Sequence, residues 1–256
     1  MLVSAHRCGS GSFPSTNENS LEAMEASIVA GVDLVEFDVW SHLGQFVIAH
    51  DSPQQDPDEE MLDLESVLSA LAGRALGHID IKCERAQSGE HYDRWDNVRL
   101  AQEPEVRIAE LAMDMLGPRS FILTSLEDES IRILDEWRRR DPARLGVKLG
   151  LSLGRDLSEV PRSRRLRTRL SELFPSSRFT RCGADLVVAN KTLARWSLLR
   201  FAQRSGLPVL VWTVDEPAEQ KRFLSDPRVW AITTNKPVEA LALRKGIDRS
   251  TSDKRH

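Results

Sequence analysis

Glu36 and Asp38 stand two residues apart at the end of an apolar run, Val32 to Val39, that reads as a buried strand. Period-two spacing puts both carboxylates on one face of that strand. A charge at the end of a core strand loses its hydration and needs compensation. Three more segments finish in ionisable groups: Val3-Ser4-Ala5-His6-Arg7, Phe46-Val47-Ile48-Ala49-His50-Asp51 and His78-Ile79-Asp80-Ile81-Lys82. If Glu36, Asp38 and Asp80 converge to about 4–5 Å at an effective dielectric near 20, each pair repels by roughly 3–4 kcal/mol. A divalent cation removes that penalty, and protonation is the weaker alternative.

The elements that position these groups alternate in type. Asn19-Ser20-Leu21-Glu22 reads as an N-cap with a reciprocal Glu at N3, opening a helix that runs to Ala30 and stops at Gly31. Further strands are expected at 78–82, 121–124, 147–153, 185–189, 209–214 and 231–234. Helices are expected near 64–71, 106–115, 130–139, 158–173, 193–204, 218–224 and 238–243. Eight strand–helix pairs of this length predict an α/β fold, a single-domain TIM (β/α)8 barrel, whose sites lie at the C-terminal strand ends. The barrel domain is expected over residues 1–245, followed by a polar tail over 246–256. Ser52–Glu60 and the longer Cys83–Glu105 stretch read as irregular insertions next to site-bearing strands, the second in the position of a lid.

The 256-residue chain carries a formal charge of −4, which leaves no footprint for bulk nucleic-acid binding. No apolar run is long enough for an integral membrane segment, and Met1 leads directly into the first strand without room for a signal peptide. The three cysteines, Cys8, Cys83 and Cys182, are widely spaced. Together these features place the chain in the cytoplasm, with buried thiols rather than disulfides. Nothing in the sequence speaks to oligomeric state.

His6-Arg7, Glu18-Asn19-Ser20, Glu36-x-Asp38-Val39, His50-Asp51, Asp80-Ile81-Lys82, Trp212-Thr213-Val214 and Ile232-Thr233-Thr234-Asn235-Lys236-Pro237 follow one another in order from the first strand to the last. Together they resemble the glycerophosphodiester phosphodiesterase family of TIM-barrel phosphodiesterases. The resemblance implies a metal-dependent hydrolase that converts glycerophosphodiesters to an alcohol and sn-glycerol 3-phosphate. Glu36, Asp38 and Asp80 would hold the cation, His6 and His50 would act as acid and base in an order left open, and Arg7 and Lys82 would bind the phosphate. All-oxygen ligands favour Mg²⁺ or Ca²⁺, with Mn²⁺ also admitted. Imidazoles that titrate near neutrality suit proton transfer in both directions.

The chain departs from the family pattern in places. Cys8 replaces the usual Gly after His-Arg, and Asp80 replaces a Glu, one methylene shorter. Only the Ser52–Glu60 stretch occupies the place of the family's insertion subdomain. That truncation resembles the sphingomyelinase D-like phospholipases. The alternative activity is therefore phospholipase D-like, on lysophospholipids or sphingolipids, with release of a cyclic phosphate. Trp212 is either barrel core or a stacking surface for the substrate headgroup. Arg162, Arg164, Arg165, Arg167 and Arg169, flanked by Glu159 and Glu172, read as a solvated helix face rather than a lipid-headgroup dock. His42, His78, His91 and His256 receive no role.

Overall fold

A computed structural model describes residues 1–53, 61–82, 96–158 and 160–252. The first half runs β1 (Leu2–Ala5), α1 (Leu21–Ala30), β2 (Leu34–His42), β3 (Gln45–Ile48), α2 (Leu64–Leu71), β4 (Leu76–Lys82), α3 (Asn97–Gln102), α4 (Pro104–Leu116), β5 (Phe121–Ser125) and α5 (Asp128–Arg139). The second half continues with β6 (Lys148–Leu153), α6 (Arg162–Leu173), α7 (Ser176–Cys182), β7 (Leu186–Asn190) and α8 (Lys191–Leu193). A π turn (Ala194–Leu198) leads into α9 (Leu199–Ser205), and β8 (Val209–Trp212), α10 (Pro217–Leu224), β9 (Ala231–Thr234) and α11 (Pro237–Ser252) complete the chain.

Eight of the strands form one closed parallel sheet, in which β1 pairs with both β9 and β2. This is the predicted TIM barrel. The ninth, β3, is not a barrel stave. It pairs antiparallel with the far half of β2, from Val39↔Ile48 to His42↔Gln45, through a tight turn in which Leu43 and Gly44 both have positive φ, 47° and 81°. The expected strand at Val32–Val39 therefore shifts to Leu34–His42, and Glu36 and Asp38 lie inside it rather than at its end.

Strand pleating sorts the side chains. Val35, Phe37, Val39, Ile79 and Ile81 face outward into the main core, with α1, α2 and α4 contributing Met24, Leu68 and Ile108. The alternate residues face the barrel axis, where Leu34, Ile122, Leu186, Val188, Leu210 and Ala231 make a second, separate apolar cluster. That cluster is the barrel floor. One step further along the strands stand Ser4, His78, Thr124 and Thr233, all buried, and beyond them come Asp38 and Asp80. The axis thus grades from apolar to polar to charged toward the C-terminal strand ends.

Gly150 on β6 belongs to this packing. A Cβ built there would sit 2.6 Å from Val188 Cγ2 and 2.9 Å from Thr124 Cγ2, so the floor closes only over a bare α-carbon.

Several expected boundaries move. Ser20, not Asn19, caps α1, its side chain accepting from the Ala23 amide, while Asn19 adopts φ 54°. Residues 97–102 and 104–116 are helical, so the insertion expected to reach Glu105 is shorter. Residues 83–95, which hold His91 and the centre of the proposed lid, lie outside the described residues, as do 54–60. The helix expected from residue 158 begins at Arg162 and is followed by α7. The terminal helix runs to Ser252, beyond the expected end at Leu243. Among the described residues no helix is long and apolar enough to cross a membrane.

Candidate active site

His6, Arg7, Glu36, Asp38, His50, Asp80, Lys82 and Trp212, brought from β1, β2, the β3 end, β4 and β8, line one cavity of about 150 Å³ at the C-terminal mouth. These are all eight of the residues singled out in the sequence. His78, Leu126, Ser152, Val188, Thr213 and Thr233 complete the lining.

The β2–β4 register explains why the acids meet. Asp38 pairs with Asp80 and Glu36 with His78, so one pleat delivers the carboxylates of neighbouring strands at the same height. One oxygen from each of Glu36, Asp38 and Asp80 lies within 4.8 Å of the others, and all three residues are buried. Burial pushes the Glu36 carboxyl well above its usual range, and the charges of Asp38 and Asp80 push it in the same direction. The Arg7 amide, 2.6 Å from Glu36 Oε2, partly opposes this. Burial would raise Asp80 too, but the Lys82 ammonium and the Thr124 hydroxyl outweigh it and hold Asp80 low.

Lys82 Nζ lies 3.1 Å from Asp38 Oδ1 and 2.5 Å from Asp80 Oδ2. The lysine expected to face phosphate thus bridges two of the acids. Arg7 is placed between Glu18, which accepts from Nη1 at 2.7 Å, and Asp38, 3.9 Å from its Nε. Arg7 and Cys8 have positive φ, 46° and 65°, followed by Gly9 at 86°. The left-handed turn brings the Arg7 amide back onto Glu36, and Gly9 is required where a Cβ would meet Ser27 Oγ at 2.4 Å.

His6 Nδ1 lies 2.7 Å from Asn235 Oδ1. Asn235 is oriented by Asp215, whose carboxylate accepts from the Asn235 backbone amide at 2.8 Å and from Nδ2 at 2.9 Å. The amide oxygen therefore faces His6, which must carry its proton on Nδ1. That leaves Nε2 as a free base, 4.0 Å from Glu36 Oε2. Burial lowers the His6 pKa, only partly offset by the Asn235 bond. His50 is 44% exposed at the rim, its Nδ1 2.7 Å from Asp51 Oδ1.

A second hydrogen-bonded row runs beneath the acids. The Thr124 hydroxyl donates to Asp80 Oδ1 at 2.6 Å, so its oxygen accepts from His78 Nε2 at 3.2 Å, and His78 Nδ1 accepts from Ser4 Oγ at 3.2 Å. Burial lowers the His78 pKa to about 4, so the ring is neutral and holds a fixed tautomer.

Sequence reasoning missed Asn19, Thr124, Asp215 and Asn235. Asn19 Nδ2 donates to Asp38 Oδ2 at 3.1 Å, so the residue read as a helix cap orients an acid instead. The signal for Asn235 was present in the Thr-Asn-Lys-Pro segment after β9, and for Asp215 in its place three residues past Trp212.

Three buried carboxylates gathered this closely suit a hard dication, and buried polar atoms around them make no hydrogen bond: Arg7 Nε, Asn19 Oδ1, Trp212 Nε1 and Thr233 Oγ1. The unused donors among them, Arg7 Nε, Trp212 Nε1 and the Thr233 hydroxyl, match an anionic ligand with several oxygens. By its fold and donor set, the mouth is suited to metal-assisted phosphoryl transfer.

Residues 6–63 match the model of the Glycerophosphoryl diester phosphodiesterase family. The barrel is similar to a glycerophosphodiester phosphodiesterase from Parabacteroides distasonis (TM-score 0.68, 16% identity, covering 96% of this chain and 98% of that one). It is equally similar to a phosphodiesterase from Oleispira antarctica solved with the product sn-glycerol-3-phosphate (TM-score 0.68, 14% identity, 96% and 97%). A glycerophosphodiester phosphodiesterase from Agrobacterium tumefaciens gives 0.66 at 18% identity over 96% and 100%. No curated protein sequence matches the chain. Over residues 6–63 the chain is thus similar to the glycerophosphodiester phosphodiesterase family, and over its whole length it shares the barrel fold of these enzymes.

Proposed function

We propose that the protein hydrolyses a glycerophosphodiester to an alcohol and sn-glycerol 3-phosphate, using a divalent cation held by Glu36, Asp38 and Asp80. The observation that carries this reading is the buried trio of acids beside two imidazoles in one cavity. The cation, Mg²⁺ or Ca²⁺ with Mn²⁺ also suited, neutralises charge on the non-bridging oxygens. Arg7 and Lys82 would supply further positive charge to the phosphate, with Lys82 freed from Asp38 and Asp80 once those carboxylates hold the cation. His6, a free base at Nε2, removes the proton from the attacking hydroxyl or water. His50 at the rim protonates the departing alcohol. Trp212 borders the headgroup side.

The Oleispira phosphodiesterase retains sn-glycerol-3-phosphate in its structure, which supports the same product here. The competing reading is attack by a neighbouring substrate hydroxyl on a lysophospholipid or sphingolipid, ending in a cyclic phosphate. Phosphorus NMR of glycerophosphocholine and lysophosphatidylcholine digests separates the two. Linear glycerol phosphate is expected, and a cyclic ester as the end product would transfer the assignment to the second reaction. Turnover should vanish with chelator, and His6→Ala or His50→Ala should lower kcat by roughly 10²–10⁴. Metal affinity, read by calorimetry, should stay nearly unchanged in both; its loss would refute the acid and base roles.

A further inference from the structure

Helix α6 is the least buried of the long helices. Only Glu172 of its twelve residues is buried. It carries five arginines, of which Arg162, Arg164 and Arg167 are exposed, in a chain whose total formal charge is −4. On a helical projection Leu166 and Leu170 share one face, with Leu173 and the capping Phe174 on either side of it. Leu166 is 73% exposed, Leu170 47% and Phe174 72%. Arg162 and Arg169 flank this stripe on one side and Arg167 on the other. Trp196, in the π turn after β7 and 75% exposed, stands beside α6 where Arg169, Leu173 and Leu193 line a shallow pocket.

The charge is one-sided. Glu172, which as a flanking acid would oppose the arginines, is turned inward. Its Oε1 accepts from the Gly154 and Arg155 amides at 2.9 Å each, and its Oε2 pairs with Arg169. Among the described residues, neither Arg162 nor Arg167 has a carboxylate within ion-pair distance. On the far side of α6 a groove is lined by Arg164, Arg167, Arg178 and Arg181, with Asp128 as its one acid.

The position matters as much as the composition. Glu172 holds α6 to the residues that leave β6 at the catalytic end of the barrel. Arg155 reaches on to the Leu126 carbonyl at 3.4 Å, and Leu126 lines the active-site cavity.

We propose that α6, with Trp196, is a docking element for an anionic lipid surface. The apolar stripe of Leu166, Leu170 and Phe174 enters the headgroup boundary, and the flanking arginines engage acidic headgroups. Basic helices of this amphipathic kind lie in the interfacial plane, with attraction that falls away with salt. The occupant is a bilayer rather than a protein groove because exposed arginines border the stripe on both sides, and among the described residues Arg162 and Arg167 have no carboxylate partner, which matches a continuous anionic surface.

The test is co-sedimentation of the full chain with phosphatidylcholine vesicles with and without phosphatidylglycerol. Binding is expected only with the anionic lipid, and it should weaken steeply with added salt. Arg162→Gln with Arg167→Gln should weaken it roughly tenfold or more, and Leu166→Ser with Phe174→Ser should abolish it. All four substitutions are on exposed side chains, so turnover of a soluble diester should be unchanged, which separates a docking failure from a failure of the catalytic assignment. The emission difference between the parent and Trp196→Phe isolates Trp196, which should shift to the blue on anionic vesicles. Equal binding of the parent and the serine variant, no binding to anionic vesicles at low salt, or self-association through the stripe on size exclusion would each overturn the proposal.

Discussion

Lys82 is the residue whose surroundings say most about how the site changes on loading. It is largely buried, with its ammonium between Asp38 and Asp80, and their charges outweigh the burial that would otherwise lower its pKa. It compensates two carboxylates, and with the proposed dication bound its ammonium would be free to meet an anionic ligand. Lys82→Met should therefore retain or gain metal affinity while losing turnover by at least about a hundredfold, on the scale of a lost electrostatic contact to the transition state. Asp80→Asn should do the reverse to metal affinity. Paired calorimetry and kinetics on these variants read the two effects, and a Lys82→Met protein that loses metal binding would make the lysine purely structural. At this scale the sequence was legible wherever a residue type announced its chemistry at a strand end. It was mute on what Asn19 and Asn235 orient, although both stand in the quoted motifs, because an amide orients other groups through contacts across 19 and 229 positions.

The elements carry the site through strand register. In β6, Gly150 pairs with Thr124 on β5 and with Leu186 on β7, and its missing side chain lets both neighbours approach the axis. Gly150→Ala should destabilise the fold by roughly 1–3 kcal/mol, the usual cost of forcing a methyl into a filled core. Equilibrium urea unfolding measures it. Because Val188 both meets that methyl and lines the cavity, KM should rise as well. The alternation of strand and helix was readable from periodicity alone, since apolar runs of strand length recur between amphipathic stretches. The antiparallel β3 was not distinguishable, because a strand's apolar pattern carries no information about its direction. The continuation of β2 past Val39 was hidden for a related reason. Trp40, Ser41 and His42 are held by pairing with β3 rather than by burial, and pairing leaves no hydropathy signature.

For the whole molecule, the buried imidazole row ties barrel stability to pH. His78 is neutral in the fold with a pKa lowered to about 4 from 6.5. Between those values the unfolded chain binds a proton that the folded chain refuses, so this contribution is complete above 6.5 and is lost as pH falls toward 4. It amounts to about 2 kcal/mol between about pH 7 and pH 5. His6, shifted in the same direction, adds to the acid sensitivity, and Asp80, held low, adds to it at still lower pH. Glu36, raised, acts oppositely, favouring the fold at low pH and losing that share as pH rises through its folded value. Urea unfolding of the parent and His78→Gln at the two pH values isolates the imidazole. The variant should be less stable throughout but flatter with pH, and an unchanged slope would remove His78 from the account.

The apolar floor made by Leu34, Ile122, Leu186, Val188, Leu210 and Ala231 fills the barrel axis beneath the cavity, which opens toward the C-terminal rim. On the proposed reaction, product would leave toward the same rim that admits the diester. Glycerol phosphate, the product on that reading, would be held by the same charges as the diester, so it should inhibit competitively.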